Sequence, residues 1–198
     1  MRLFVALDID PAILERIALF LEGVRGFAPD ARWARTESLH ITLKFIGEIH
    51  QERLDELRDA LGQIRGEATE IRFRGAGFFP TARSARVFWI GVQADGRLAE
   101  LARAVEEALE PLGVEREQRA FSPHLTLART GSGRPARGAD DRNNPTFRRL
   151  QDRLAAMPDP DFGAITPTEF SLYQSKLSPK GAQYTKLTGF PLGWAEKL

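Results

Sequence analysis

The chain contains no cysteine, which removes several kinds of site from consideration. Disulfide bonds, thiolate nucleophiles and cysteine-based metal centres are all excluded. Histidine is also scarce, with three residues in a chain of 198: His40, His50 and His124. Because histidine is the side chain that changes charge most readily near neutral pH, acid–base chemistry has few places where it can occur.

Long hydrophobic runs are absent as well. No stretch approaches the roughly 18 consecutive apolar residues that indicate a membrane-spanning helix. The apolar run at the N-terminus is short and acidic residues follow it at once, which is typical of a strand and not of a signal peptide. We therefore expect a cytoplasmic protein that does not enter a membrane. The net charge is only +1, so any binding of nucleic acid must depend on a local basic surface.

What the chain does contain is an internal repeat. The segment 38–43 (SLHITL) returns 84 residues later as 122–127 (SPHLTL). The segment 2–7 (RLFVAL) resembles 86–91 (RVFWIG) at the same spacing. Two separate segments that share one spacing indicate a duplicated chain.

Hydrophobic spacing predicts the same order of elements in each half. Apolar residues recur every three or four positions in four segments, which is typical of amphipathic helices. These segments are 11–24, 51–64, 97–112 and 145–154. Strand-like runs precede each first helix, carry each repeated histidine segment, and follow each second helix at 70–74 and 168–173.

The repeat therefore predicts one α+β domain over 1–198, with internal repeats at roughly 1–84 and 85–198. We expect a bilobal fold with pseudo-twofold symmetry, in which two antiparallel sheets line a central groove and the helices lie outside. The segment 130–144 has no hydrophobic periodicity and is predicted to be a solvated loop, inserted in the second half. Contact of its arginines with RNA is the alternative interpretation.

Both repeated segments carry a His-x-Thr motif. Alternate side chains of a strand face opposite ways, so His40, Thr42 and Lys44 are predicted to share one face. The same alternation joins His124 to Thr126. Each motif thus places an imidazole and a hydroxyl roughly 7 Å apart on one face, and a twofold axis would bring the two pairs together.

Two imidazoles and two hydroxyls at one site would suit the chemistry of a phosphodiester. One imidazole can take a proton from the attacking oxygen while the other donates a proton to the leaving oxygen. Hydroxyl groups can hold the non-bridging oxygens and stabilise the charge of the transition state. A purely structural role for duplicated histidines is the alternative.

A metal site is not predicted from these residues. Zinc needs three or four ligands, and no acidic residue is predicted on the face that carries the two histidines. His50 has no partner at a useful spacing and is predicted to lie on the surface. We therefore expect no metal and no cofactor.

The paired motifs resemble those of the 2H phosphoesterases. The chain is most similar to the bacterial RNA 2',3'-cyclic phosphodiesterases, also called 2'-5' RNA ligase-like proteins. The resemblance extends over nearly the whole chain and includes 2–6, 39–48, 77–80, 121–129 and 172–181. The segment 130–144 is the part least like the family.

The resemblance implies a chain that hydrolyses 2',3'-cyclic phosphate ends of RNA, or cyclic nucleotides, to 2'-phosphates. It implies that His40 is the general acid to the 3' oxygen and that His124 is the general base for water. Thr42 and Thr126 would bind the phosphate. The residues themselves do not assign the two histidine roles, because the halves are nearly equivalent.

Five further residues are weaker candidates for contact with the substrate. Arg129 follows the second motif and is a candidate for phosphate or the RNA backbone, although strand alternation places it opposite the histidine unless the strand ends first. Lys44 is a candidate for electrostatic support. Tyr184, Phe79 and Trp33 are candidates to stack on a terminal base, with packing in the core or at the rim as the alternative for each.

Two other functions are consistent with the same residues. The two histidines could join a cyclic phosphate end to a 5'-hydroxyl, which would make a 2'-5' linkage, although no glycine-rich ATP-binding motif is present. Alternatively the chain could bind RNA ends without cleaving them, an interpretation that the low net charge makes less attractive. Nothing in the sequence requires a partner chain, so we expect a monomer.

Overall fold

The structure is a computed structural model that describes residues 1–130, 145–178 and 181–193. Nearly all of the predicted loop at 130–144 lies outside the described residues. Within the described ranges the chain forms nine β-strands and four α-helices. None of the helices in these ranges is long and apolar enough to span a bilayer.

The elements alternate in the order that the repeat predicts. In the first half they are β1 (Arg2–Leu7), α1 (Pro11–Val24), β2 (Ala31–Trp33), β3 (Ile41–Glu48), α2 (Leu54–Gly62) and β4 (Ile71–Phe79). In the second half they are β5 (Val87–Ala94), α3 (Gly96–Leu109), β6 (His124–Thr130), α4 (Arg148–Ala155), β7 (Asp161–Ile165), β8 (Glu169–Ser178) and β9 (Gly181–Pro191). All four predicted helices are present; the short strands β2 and β7 have too few residues to show a period.

Local sequence explains where the first helix of each half begins. Asp10 caps α1, since its carboxylate accepts a hydrogen bond of 2.8 Å from the amide of Ala12, and Pro11 occupies the first turn. Asp95 caps α3 in the same way, at 3.0 Å from the amide of Arg97. Carboxylates at this position satisfy amides that the helix itself leaves without partners. Both helix starts are therefore encoded locally.

The strands form two antiparallel sheets. The first sheet has the order β3-β1-β8-β9 and the second has the order β2-β6-β5-β4-β7. In each half the first strand pairs with the histidine strand of its own half and with a strand of the other half: β1 lies between β3 and β8, and β5 lies between β6 and β4. Each sheet therefore contains strands of both halves, and the predicted class of two antiparallel sheets with four helices is confirmed.

Each sheet has one face that packs on helices and one that bears a threonine of the motifs. We call the latter the motif face: it carries Thr42 in the first sheet and Thr126 in the second. Ala6 of β1 pairs with Thr42, so Ala6 and Phe4 belong to the motif face, because alternate residues share a face. The intervening Val5 is fully buried in the core on the helix side.

The strand ladders correct the alignment of the two halves at their first strands. The motifs themselves are 84 residues apart. However, Ala6 pairs with Thr42 whereas Trp89 pairs with Thr126, so β1 and β5 correspond at a spacing of 83. A shift of one residue reverses the face of every side chain in a strand. The sequence alignment of 2–7 with 86–91, at a spacing of 84 residues, therefore matched side chains that lie on opposite faces of their sheets.

Candidate active site

The two motif histidines are held in the same way. His40 lies directly before β3 and His124 begins β6. The Nδ1 atom of His40 is 2.9 Å from the carbonyl oxygen of Ser38, and that of His124 is 2.8 Å from the carbonyl oxygen of Ser122. Because a carbonyl oxygen can only accept, each Nδ1 carries a proton and donates it. Each neutral imidazole therefore keeps its lone pair on Nε2.

A short connection joins the two motifs. The amide of Ala34 donates a hydrogen bond of 2.7 Å to the carbonyl of Leu127, which is adjacent to Thr126 in β6. Five residues then separate Ala34 from His40 as the chain crosses to the first sheet. Such a segment spans at most about 20 Å even when it is fully extended. The first motif therefore begins close to the strand that carries the second.

A β-bulge follows each His-x-Thr motif, at equivalent positions. The ladder of β1 and β3 shifts between Val5 and Ala6, which leaves Leu43 as the extra residue. The ladder of β5 and β6 shifts between Phe88 and Trp89, which leaves Leu127 as the extra residue. A bulge interrupts the alternation of side chains, so residues beyond it face the opposite way from the simple prediction.

The first bulge removes Lys44 from the motif face, and the predicted shared face with His40 is wrong. Lys44 pairs with Val5 and is 6% exposed. Its Nζ donates to Glu106 Oε1 of α3 at 2.5 Å and to the carbonyl of Glu115 at 2.6 Å. The side chain of Lys44 therefore lies on the face of the sheet that packs against the helices.

The second bulge has the reverse effect on Arg129. β6 continues to Thr130, yet Arg129 pairs with Val87, which shares the motif face with Trp89. The expectation from simple alternation, that Arg129 lies opposite the histidine, is therefore wrong. Arg32 of β2 pairs with Arg129 and both are exposed, so two cations lie side by side on this face. Arg32 was not among the predicted contacts with the substrate, since three residues of strand show no period.

Aromatic rings surround His40. Its imidazole stacks on Phe4, with 4.6 Å between ring centroids, and meets the edge of Tyr184 at 5.0 Å. Tyr173 stacks on the same phenylalanine at 5.3 Å. Burial lowers the pKa of His40 below its ordinary value, although the hydrogen bond to Ser38 and the charge of Asp8 both act to raise it. The imidazole is therefore neutral near pH 7 in the free protein.

We expect Tyr184→Ala to raise the pKa of His40 toward its ordinary value. Tyr184 is itself exposed, so its removal opens the imidazole to water at little cost in stability, and hydration favours the charged form. An NMR titration of the imidazole signals measures the shift. Tyr184→Phe keeps the ring and should leave the pKa of His40 where it is; an equal effect of both variants would contradict the burial argument.

The surroundings of His124 are also aromatic but differ in detail. The ring of Phe79 meets the imidazole edge-on at 5.2 Å and stacks on Trp89 at 5.0 Å. Phe79 and Tyr184, both predicted as candidate contacts, therefore each lie beside one motif histidine. Sequence reasoning did not single out Phe4 or Tyr173, which a strand pattern does not distinguish from core residues.

Trp33 is not brought to the motif face. It pairs with Ala128, its indole Nε1 donates to the carbonyl of Ala28 at 3.0 Å, and its ring contacts the buried Phe88. Packing is thus the role that the structure supports for Trp33.

His50 is exposed, as predicted. Among the described residues, no three His, Asp or Glu side chains cluster as a possible metal site.

Comparison with known proteins places this arrangement in a family. A family model described as the 2'-5' RNA ligase superfamily matches residues 13–159. The chain belongs to the 2'-5' RNA ligase superfamily. This confirms the resemblance on which the sequence interpretation depended.

Relatives in the superfamily match nearly the whole chain. A protein of Archaeoglobus fulgidus named RNA 2',3'-cyclic phosphodiesterase is 36% identical over 190 residues, which cover 96% of this chain and 99% of that protein. One of the same name from Methanocaldococcus jannaschii is 34% identical over 184 residues, 93% of this chain and 96% of that protein. The crystal structure of E. coli LigT complexed with 3'-AMP has a TM-score of 0.75 at 28% identity, and covers 96% of this chain and 97% of that one.

Proposed function

We propose that this protein hydrolyses the 2',3'-cyclic phosphate end of RNA to a 2'-phosphate, with His40 as general acid and His124 as general base. The observation that carries the proposal is the twin geometry of the motifs. Each imidazole is fixed through Nδ1 by a carbonyl two residues earlier, so each has Nε2 available for proton transfer. Two such groups supply the acid and the base that a phosphodiester requires.

The proposed reaction conserves atoms and protons in one displacement. His124 Nε2 takes a proton from water, and the water oxygen forms a bond to phosphorus. The bond from phosphorus to the 3' oxygen breaks, and that oxygen receives the proton of His40 Nε2. The product keeps its phosphate on the 2' oxygen, and exchange with solvent restores both histidines.

Other residues of the motif faces fit the same substrate. Thr42 and Thr126 follow each histidine by two positions and present hydroxyls suited to the non-bridging oxygens. Arg129 and Arg32 supply positive charge for the RNA backbone. The exposed ring of Tyr184 and the partly buried ring of Phe79 are available to stack on a terminal base. The names of the relatives and the 3'-AMP complex of LigT support a nucleotide substrate.

The test is product analysis with defined substrates. A 2',3'-cyclic mononucleotide and a cyclic-ended oligonucleotide should both yield 2'-phosphates at a rate that EDTA does not change, because no proposed step uses a metal. A 3'-phosphate product would mean that the 2' oxygen leaves. Activity that EDTA removes would overturn the metal-independent mechanism.

The same assay separates hydrolysis from ligation. The superfamily is named for ligation, and by microscopic reversibility the same two histidines could join a cyclic end to a 5'-hydroxyl. Because water is far more concentrated than any RNA end, we expect hydrolysis to dominate when a 5'-hydroxyl oligonucleotide is added. Gel analysis would reveal a joined product as a longer band.

A further inference from the structure

The two motif histidines differ in the residue that faces them across the strand ladder. In the second sheet, His124 pairs directly with Gly91. In the first sheet, the last pair of the ladder is Leu7 with Ile41, and the same register continued by one residue sets Asp8 across from His40. Residues directly opposite in an antiparallel pair have Cβ atoms about 5 Å apart. Across the ladder, one imidazole therefore has a carboxylate opposite it and the other has a glycine.

The second half has no room for the missing carboxylate. A Cβ atom added to Gly91 would overlap the carbonyl oxygen of Arg74, and backbone cannot move aside cheaply. Because Gly91 takes the position in β5 that Asp8 takes after β1, this difference breaks the symmetry of the duplicated site. It offers a physical basis for giving the two histidines different roles.

Asp8 is held in place by two partners. The hydroxyl of Tyr173 donates to Oδ1, and Lys186 Nζ donates to Oδ2 at 2.8 Å. Burial and the hydrogen bond to Asp8 raise the pKa of Tyr173, so the phenol keeps the proton that it donates. Lys186 is shared with Glu169, at 2.5 Å from its Oε1. Asp8, Glu169 and Lys186 together carry a net charge of about −1 beside His40 when all three are ionised.

Two effects on His40 oppose each other. Burial disfavours the imidazolium and is the larger effect, so the pKa of His40 stays below its ordinary value; the charge of Asp8 favours the imidazolium and offsets part of that lowering. The titratable and charged groups around this imidazole come from three strands or their ends: Asp8 after β1, Tyr173 and Glu169 of β8, and Lys186 and Tyr184 of β9. Asp8 is the one of these whose charge acts directly on His40.

We propose that Asp8 is the positioning residue that allows the buried His40 to act as the general acid of the pair. Asp8 stabilises the protonated imidazole that must deliver a proton to the leaving oxygen, and Lys186 limits how strongly it does so. This inference rests on the two-histidine reaction proposed above.

The test uses two variants of one network with expected effects of opposite sign. Asp8→Asn removes the carboxylate charge, so the pKa of His40 should fall by about half a unit or more. Lys186→Met removes the neutralising cation, so that pKa should rise by a similar amount. NMR titration of the three histidines gives both values, and His50→Ala and His124→Ala assign the signals.

Turnover gives the second readout. Above the pKa of His40, kcat at saturating substrate follows the protonated fraction of that imidazole, which half a unit changes about threefold. At pH 8, Asp8→Asn should therefore be at least about threefold slower than wild type, and the deficit should shrink as the pH falls toward the pKa of His40. Glu169→Gln is the matched control: it removes the same charge from the network at a residue that does not face His40, so its shift should be smaller.

Several outcomes would overturn the inference. Shifts of the same sign in Asp8→Asn and Lys186→Met would mean that both variants merely damage the network. An equal shift in Glu169→Gln would show that position opposite His40 is irrelevant. If Asp8→Asn does not fold, Lys186→Met still tests the proposal. An unchanged or lower pKa of His40 in Lys186→Met would contradict it. The role of Asp8 can also fail by itself. If His40→Ala and His124→Ala lose turnover but Asp8→Asn does not, the two-histidine reaction is supported and the proposed role of Asp8 is refuted.

Discussion

Replacing His40 or His124 with alanine should lower turnover of a 2',3'-cyclic phosphate by about 100- to 10,000-fold, because each removes one of the two groups that transfer protons. The fold should persist. Both side chains are only partly buried, and the Nδ1 atom of each contacts a backbone carbonyl two residues earlier in the chain. Initial rates with a cyclic mononucleotide, together with circular dichroism of each variant, check both statements.

The double variant sharpens this test. Residues that act as a unit lose most of their joint effect when either is removed, so His40→Ala/His124→Ala should be only slightly slower than the worse single variant. His50→Ala is the matched control, since His50 is exposed, and should retain wild-type turnover. Wild-type-like activity in either single motif variant would refute the two-histidine mechanism.

Lys44→Met should cost about 3 to 5 kcal/mol of unfolding free energy, an unusually large loss for a lysine. Lys44 is buried, and its ammonium is bound by the carboxylate of Glu106 and the carbonyl of Glu115. Removal of the cation leaves a carboxylate in a poorly hydrated position, compensated by the amide of Glu117 and the more distant charge of Arg116. Urea denaturation of wild type and variant measures the difference.

Two controls separate a buried ion pair from ordinary surface charge. Arg103 and Glu107 form an exposed pair on the same helix, so Arg103→Ala should change stability by about 0.5 kcal/mol or less. The double variant Lys44→Met/Glu106→Leu removes both charges and should recover much of the loss. A Lys44→Met variant as stable as Arg103→Ala would show that the pair contributes little.

The ion pair of Lys44 and Glu106 should also make the stability of the protein depend on pH. Burial acts to raise the pKa of Glu106, but the hydrogen bonds from Lys44 and the Glu117 amide and the charge of Lys44 together hold it below its ordinary value. A carboxylate with a depressed folded-state pKa contributes stability above its unfolded pKa of about 4.3 and loses it as pH falls through the folded value. The stability gap between wild type and Lys44→Met should therefore narrow in acid below about pH 4.

The local sequence was sufficient to predict the helices and the paired motifs. The helices show the 3.6-residue period over two or more turns, and Asp10 and Asp95 cap two of them through contacts two residues away. The shared face of each histidine and threonine was also predictable, since no bulge interrupts 40–42 or 124–126. Repetition of the motif in a chain with three histidines then singled out the candidate site.

Tertiary structure alone decided what lies beyond each motif and across from it. A bulge depends on how a strand pairs with its neighbour, so no pattern within β3 or β6 shows that Lys44 turns to the helices or that Arg129 turns to the motif face. Register between strands that are distant in sequence likewise pairs Gly91 with His124 and, continued one residue beyond the last pair of β1 and β3, sets Asp8 across from His40. The sequence by itself determined which chemical groups the protein has on each strand; pairing between strands determined which of them meet, because that depends on contacts whose partners lie tens of residues apart.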